Sequence, residues 1–219
     1  MSLAYDLNDA PNGAAAPAAA LTRVLDLLGA RATYTRNEEI YAQEDDVERL
    51  FRVISGVVRT TRVTIDGRRQ VGDFYYPGDL FGLETGPLHE FSAEALTECQ
   101  VESVRHAAVR TFAGDIELDR AILDATRREL RRVQGHVMLL GKTGAREKVA
   151  AFLLGLAEHE QFGGVDLPMG RQDMADYLGL TIETVSRMLT QLQSDNVVQF
   201  PSSRRFRVTQ RYALEAIAE

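Results

Sequence analysis

Hydrophobic and polar positions along this chain change their period several times, and each change marks a different element. Leu21, Val24, Leu25 and Leu28 share one face at helical spacing, predicting a short amphipathic helix over 21–28. From about Arg31 to Ala113 the pattern becomes short apolar or alternating runs: Leu50–Ile54, Val57–Ile65, Gln70–Tyr76 and Cys99–Val104. Turn residues separate them at Ser55–Gly56, Asp66–Gly67 and Pro77–Gly78–Asp79, and Asp66–Gly67 predicts a hairpin closed by a type I′ turn. Short strands at this spacing predict a sandwich or jelly-roll barrel, with an interior that holds either side chains or a small ligand.

From Ile116 the pattern is helical again. Ile116, Leu123, Leu130 and Val137 recur every seven residues, with Val133 and Leu140 in the row three positions on. This is the seam of a coiled coil, in which Leu123, Leu130, Val133, Val137 and Leu140 are the dimerisation residues. Asp119 and Thr126 are polar in the companion row, so the later part of the seam carries more of the contact. The competing reading is a long helix packed on its own domain. Arg127, Arg128, Arg131 and Arg132 read as solvated flanks of the seam.

After a break at Gly141–Gly144, Ala145–Glu160 predicts a helix with Val149, Phe152, Leu153 and Leu156 on one face, followed by a turn at Gly163–Gly164. The segment Arg171–Leu192, RQDMADYLGLTIETVSRMLTQL, then reads as a helix-turn-helix. Met174, Ala175, Leu178, Leu180, Val185 and Met188 fill its packing positions, with Ala175 small where the helices cross and Gly179 at the turn. Thr181 is placed to cap the second helix. Val197–Phe200 and Phe206–Val208 predict a small two-stranded wing around 201–205, and Tyr212–Ala218 a last short helix.

The second helix of the pair has two faces. Val185, Met188, Leu189 and Leu192 turn inward, and Glu183, Ser186, Arg187 and Thr190 share the opposite side. A carboxylate accepts from cytosine N4, a guanidinium donates twice to guanine, and hydroxyls serve several base edges. The competing reading is a solvated face carrying an i, i+4 Glu–Arg pair. Arg171, Thr181, Arg204 and Arg205 complete the candidate DNA-binding set, and Arg207 and Arg211 extend the basic cluster near the wing, which otherwise reads as a solvated hairpin.

Composition narrows the function. A hydrophobic fraction of 45% supports real cores, and a net charge of −7 opposes indiscriminate coating of nucleic acid, so any DNA contact must be local. The single cysteine, Cys99, excludes an intrachain disulfide and a cysteine-ligated cluster; in a strand it reads as an inert, partly buried thiol. No apolar run approaches ~20 residues and no secretory pattern opens the chain, so the expectation is a cytoplasmic protein without a membrane partner. His89, His106, His136 and His159 show no ligand pattern, so no metal, cofactor or enzyme of cupin type is expected.

The resulting organisation is α+β: a flexible tail over 1–20, interrupted by prolines, a β jelly-roll over 21–115, a dimerisation helix over 116–141 and a winged helix-turn-helix over 142–219. In this order, with LFRVISGVVR (Leu50–Arg59), YYPGDLFG (Tyr75–Gly82) and YLGLTIETVSR (Tyr177–Arg187), the chain resembles transcription regulators of the CRP/FNR superfamily over about 30–210. The arrangement Glu183, Ser186, Arg187 is similar to that of the FNR and FixK branches, and FGLETGPLHEFSAEA (Phe81–Ala95) is FixK-like.

The resemblance implies a cyclic-nucleotide-binding-like jelly-roll and a two-fold dimer on a TTGAT-N4-ATCAA type site. Arg187 would lie on guanine, Glu183 on the opposed cytosine and Ser186 near thymine. It further implies an activator that recruits RNA polymerase to genes of low-oxygen metabolism. The cysteines of the oxygen-sensing branch are missing from the N-terminal tail, and Phe91–Ser92 stands where cyclic-AMP binders carry Arg-Ser. A cyclic phosphate would then lack its partner, so the implied protein works without an obligatory effector. The alternative is gating by haem or another small ligand.

Overall fold

The computed structural model describes residues 15–84, 86–111, 116–158 and 164–219, with the side chains of 15–20 left aside. The described chain divides into two compact units, one ending at Arg132 and the other beginning at Val133.

The first unit opens with helix α1 (Ala15–Leu28), which starts earlier than the apolar pattern alone indicates. Pro17 lies in its first turn, where a missing N–H costs nothing, so proline here does not interrupt the helix. The remainder of the expected tail, 1–14, lies outside the described residues. The strands β1 (Ala30–Tyr34), β2 (Glu39–Tyr41), β3 (Arg49–Ser55), β4 (Val58–Val63), β5 (Arg69–Tyr75), β6 (Leu80–Phe81), β7 (Ser92–Ala95) and β8 (Cys99–Arg105) follow. They form two antiparallel sheets, ordered β1-β8-β3-β6 and β2-β7-β4-β5. Between the sheets, Phe51, Val53, Val58, Tyr75 and Phe81 are buried with Cys99, which is 1% exposed.

The β4–β5 hairpin differs from the type I′ expectation. Gly67 has φ 79°, but Asp66 is not in the left-handed region, and Thr64 N–H bonds to Arg68 O while Gly67 N–H bonds to Thr64 O. This is a longer loop with one left-handed glycine, and Asp66 instead accepts from Arg68 Nε at 2.6 Å.

Helix α2 (His106–Arg110) leads towards α3 (Ile116–Leu140), a 25-residue helix with two distinct apolar rows. Leu118, Ala121 and Ala125 are buried, Leu118 and Ala121 packing with Leu21, Leu25, Leu50 and Val104. The heptad positions face elsewhere: Ile116 is 67% exposed, Leu123 48%, Leu130 56%, Val133 52%, Val137 61% and Leu140 40%. The long helix therefore does pack on its own domain, but not through the seam.

Arg132 corrects the reading of the flanking arginines as solvated. Its guanidinium pairs with Asp79, lies 3.8 Å from Asp73 Oδ2 and sits 5.1 Å from the centre of the Tyr75 ring.

In the second unit, α4 (Ala145–Ala157) starts at Gly144, whose N–H donates to Glu147 Oε2 at 3.2 Å. The strand β9 (Val165–Asp166), helices α5 (Arg171–Leu178) and α6 (Ile182–Ser194), strands β10 (Val198–Ser202) and β11 (Arg205–Val208), and helix α7 (Arg211–Ala218) complete it. The wing has three strands, ordered β10-β11-β9, because the two-residue β9 adds to the expected pair. His159 and the Gly163 half of the expected turn lie outside the described residues. Among those described, no helix is long and apolar enough to cross a membrane.

Candidate nucleic-acid interface

The helix-turn-helix is held by apolar packing across a tight left-handed turn. Met174, Ala175, Leu178, Val185 and Leu192 are 0% exposed, with Leu189 at 3% and Met188 at 8%. Gly179 has φ 62° and donates its N–H to Ala175 O, ending α5 in the conformation that glycine adopts without strain. Leu180 is only half-buried, so it packs less than the pattern implies. At the other end of α5, Asp173 is 6% exposed and its Oδ2 accepts from Gly170 N–H at 3.2 Å, satisfying one orphan donor of the first turn.

Thr181 caps α6 as its residue type predicts: Oγ1 accepts from Thr184 N–H at 3.3 Å. With one face of α6 fully packed, Glu183, Arg187 and Thr190 are exposed and Ser186 is half-buried on the other. The alternative of a Glu183–Arg187 ion pair is not realised among the described residues. The Glu183 carboxylate is held below its ordinary range by its own backbone N–H and by the Thr181 hydroxyl, so it stays ionised and acceptor-only. Arg171, the first residue of α5, reaches across the turn and donates from Nη1 to Ser186 Oγ at 3.2 Å. Thr190 donates its hydroxyl to Ser186 O at 2.9 Å, one turn back.

The two wing arginines of the candidate set are exposed but differently tied. Arg204 donates to the carbonyl of Pro168, while Arg205 Nε lies 3.9 Å from Asp166 Oδ1. Phe206, 0% exposed and 6.1 Å from the Phe200 ring, anchors the hairpin from beneath. Thus α5 and α6 bring Arg171, Thr181, Glu183, Ser186, Arg187 and Thr190 into one constellation, and Arg204 and Arg205 stand on the wing.

Sequence patterns had no means of finding two contacts behind this constellation. The ring of His136 stacks on that of Tyr177 at 3.9 Å, with its Nε2 2.7 Å from the Tyr177 carbonyl, so this histidine is structural. Lys148 Nζ donates to Leu178 O at 3.3 Å, adding a cation at the C-terminal end of α5.

The jelly-roll interior holds an aromatic cluster, with Tyr41 5.2 Å from Phe51 and 6.2 Å from Phe81. His89 is 3% exposed, stacks on Tyr41 at 3.7 Å and places Nδ1 3.1 Å from Glu84 Oε1. Phe91 packs against Gly72, where a Cβ would come within 2.9 Å of the ring. Ser92 Oγ accepts from Gln43 N–H at 2.8 Å. No group of three metal-ligating side chains is assembled among the described residues.

Comparison with known proteins agrees with both halves of the chain. Residues 147–217 match the family model of the Crp-like helix-turn-helix domain, and residues 31–115 that of the cyclic nucleotide-binding domain. The nitrogen fixation regulation protein FixK of Azorhizobium caulinodans is 44% identical over 202 residues, spanning 89% of this chain and 82% of that protein. FixK of Rhizobium meliloti is 40% identical over 187 residues, spanning 85% and 86%. Among solved structures, FixK2 from Bradyrhizobium japonicum matches with a TM-score of 0.83 at 39% identity, covering 88% of this chain and 98% of its own.

Proposed function

This chain belongs to the CRP/FNR family of transcription regulators and is of the FixK type, and on that premise we propose that it acts as a homodimeric activator reading a TTGAT-N4-ATCAA-like palindrome. The observation that carries the reading is the exposed polar face of α6, where Glu183 and Arg187 engage no side chain of opposite charge among the described residues. Arg187 is assigned to guanine and Glu183 to the paired cytosine, a donor and an acceptor matched to the two edges of one base pair. Arg171, Arg204 and Arg205 supply local positive charge to phosphates, which a chain of net charge −7 needs near its DNA face.

Dimerisation through Leu123, Leu130, Val133, Val137 and Leu140 is supported by their exposure on one chain, because a heptad row left in water is explained by a second copy. A two-fold axis along that seam would set two recognition helices about 34 Å apart, as successive major grooves require. Work in the cytoplasm, recruitment of RNA polymerase and service to low-oxygen metabolism belong to the same proposal, supported by similarity to proteins that regulate nitrogen fixation.

The same proposal includes independence of any obligatory effector. Against it stands one observation: Tyr41 Oη, Glu84 Oε2 and His106 Nε2 are buried polar atoms without a hydrogen-bond partner among the described residues, all in the jelly-roll. A small polar effector that satisfied them could bias the dimer between two arrangements, provided its affinity for the two differed.

Fluorescence anisotropy of the palindrome in air, at fixed salt and without ligand, separates these readings. Tight binding that collapses when the guanine and its mate are exchanged supports a constitutively competent dimer. Weak, unselective binding by a folded dimer supports the effector-gated alternative. Arg187→Ala should cost about 1–3 kcal/mol per half-site and relax selection at that guanine alone. A uniform loss over all sequences would overturn the base assignment.

A further inference from the structure

We propose that Arg171 is a positioning residue that biases Ser186 towards donating its hydrogen bond to DNA, and so gives α6 a preference for a base that presents an acceptor there. The inference rests on the reading of α6 as the recognition helix.

A serine hydroxyl can donate or accept, so an unconstrained one adapts to nearly any base edge. Ser186 is constrained. Arg171 Nη1 donates to its Oγ at 3.2 Å, and a guanidinium has no acceptor to offer in return. The serine proton must therefore turn away from Arg171, and no acceptor takes it up among the described residues. The charge on the arginine also polarises the hydroxyl and strengthens it as a donor.

Thr190 is constrained in the opposite sense. Its proton is spent on the Ser186 carbonyl at 2.9 Å, leaving oxygen lone pairs and a methyl group to face outward. Adjacent turns of one helix thus carry biased and alternating polarities: Glu183 accepts, Ser186 and Arg187 donate, and Thr190 accepts or makes apolar contact. In the major groove thymine shows the O4 acceptor where cytosine shows the N4 amino donor. Oγ keeps a second lone pair, but the guanidinium beside it repels a further N–H donor, so Ser186 accommodates the first better than the second. Arg171 keeps further N–H groups unengaged among the described residues, and these remain available to a neighbouring phosphate.

The test replaces each thymine·adenine pair of the half-site in turn by cytosine·guanine and measures affinity at fixed salt for the wild-type protein, Arg171→Ala, Ser186→Ala and the double variant. For the wild type, one position should lose about tenfold on replacement, the loss of about one hydrogen bond. Ser186→Ala should erase that preference. Arg171→Ala should lower affinity for every duplex through the phosphate, and should also reduce the preference at that one position to about threefold or less. Arg171→Lys, which can still donate to Oγ, should restore much of it. In the Ser186→Ala background, Arg171→Ala should change no preference at all.

A uniform loss in Arg171→Ala, with the preference intact and still dependent on Ser186, overturns the proposal and leaves the recognition-helix reading standing. If Ser186→Ala changes no preference at any position, the base contact assigned to Ser186 fails, and the positioning role falls with it.

Discussion

The phenol of Tyr75 donates a 2.9 Å hydrogen bond to Glu129 Oε1, joining strand β5 to the long helix α3 through one shared proton. Tyr75 is 5% exposed, and its ring is also packed against Phe81 at 5.4 Å and beneath Arg132. Tyr75→Phe keeps the ring and removes only the donor. The half-buried Glu129 carboxylate then loses its neutral partner, which should cost about 1–2 kcal/mol in urea unfolding. An unchanged midpoint and slope would show that water replaces the phenol without loss.

Asp73 belongs to the same group of charges, which includes Asp79, Glu129 and Arg132. Burial pushes its carboxyl up to about 7, against the pull of Arg132 and the Phe74 amide, and Glu129 and Asp79 push in the same direction as burial. In the unfolded chain the group releases its proton near pH 4. Between about pH 4 and pH 7 the folded state therefore binds more protons than the unfolded state, and stability falls as pH rises through that window. Glu129, raised chiefly by burial, adds to the same slope. Asp73→Asn should flatten the decline in Tm between about pH 5 and pH 8, so that the variant gains on the wild type as pH increases. Parallel curves would remove Asp73 from the account.

These charges also show where sequence reasoning stopped. The helix-turn-helix was legible because its determinants are local: small Ala175 at the crossing, Gly179 at the turn and Thr181 at the cap lie within a few residues of each other. The heptad row on α3 was legible for the same reason, since spacing alone places Leu123, Leu130 and Val137 on one side. Arg132 was misread as solvated because its partners, Asp73 and Asp79, lie more than fifty residues away in the chain and meet it only through the fold. The third wing strand was missed because two residues, Val165 and Asp166, carry no periodicity. The polarity of the recognition face depends on one contact between α5 and α6, Arg171 to Ser186, which no pattern within either helix encodes.

Cys99 supplies an independent check on the jelly-roll core. Its thiol is 1% exposed, and burial, assisted by the charge of Glu38, pushes it up to about 11. Thiolate is the nucleophile, so both access and ionisation oppose reaction at neutral pH. Iodoacetamide should modify the native protein slowly, and modification followed by mass spectrometry across a urea series should track unfolding of the strands. Rapid labelling at zero urea would mean that the start of β8, an interior strand of its sheet, opens readily, and would return Cys99 to consideration as an oxidant-sensitive residue.

Leu130 lies at the centre of the proposed dimer seam. It is 56% exposed on a single chain, while Ala125, five residues earlier on the same helix, is 3% exposed. Leu130→Asp places a carboxylate in the proposed seam without touching the buried row, so helicity and the fold of each unit should persist while the dimer is lost. Sedimentation should shift from dimer to monomer, and affinity for the full palindrome should fall to that of an isolated half-site. Ala125→Asp provides the contrast, since it buries a charge within the chain and should unfold the first unit whatever the oligomeric state. A Leu130→Asp protein that sediments as the wild type would place the dimer contact on some other surface. The exposed heptad row on α3 would then need a different partner.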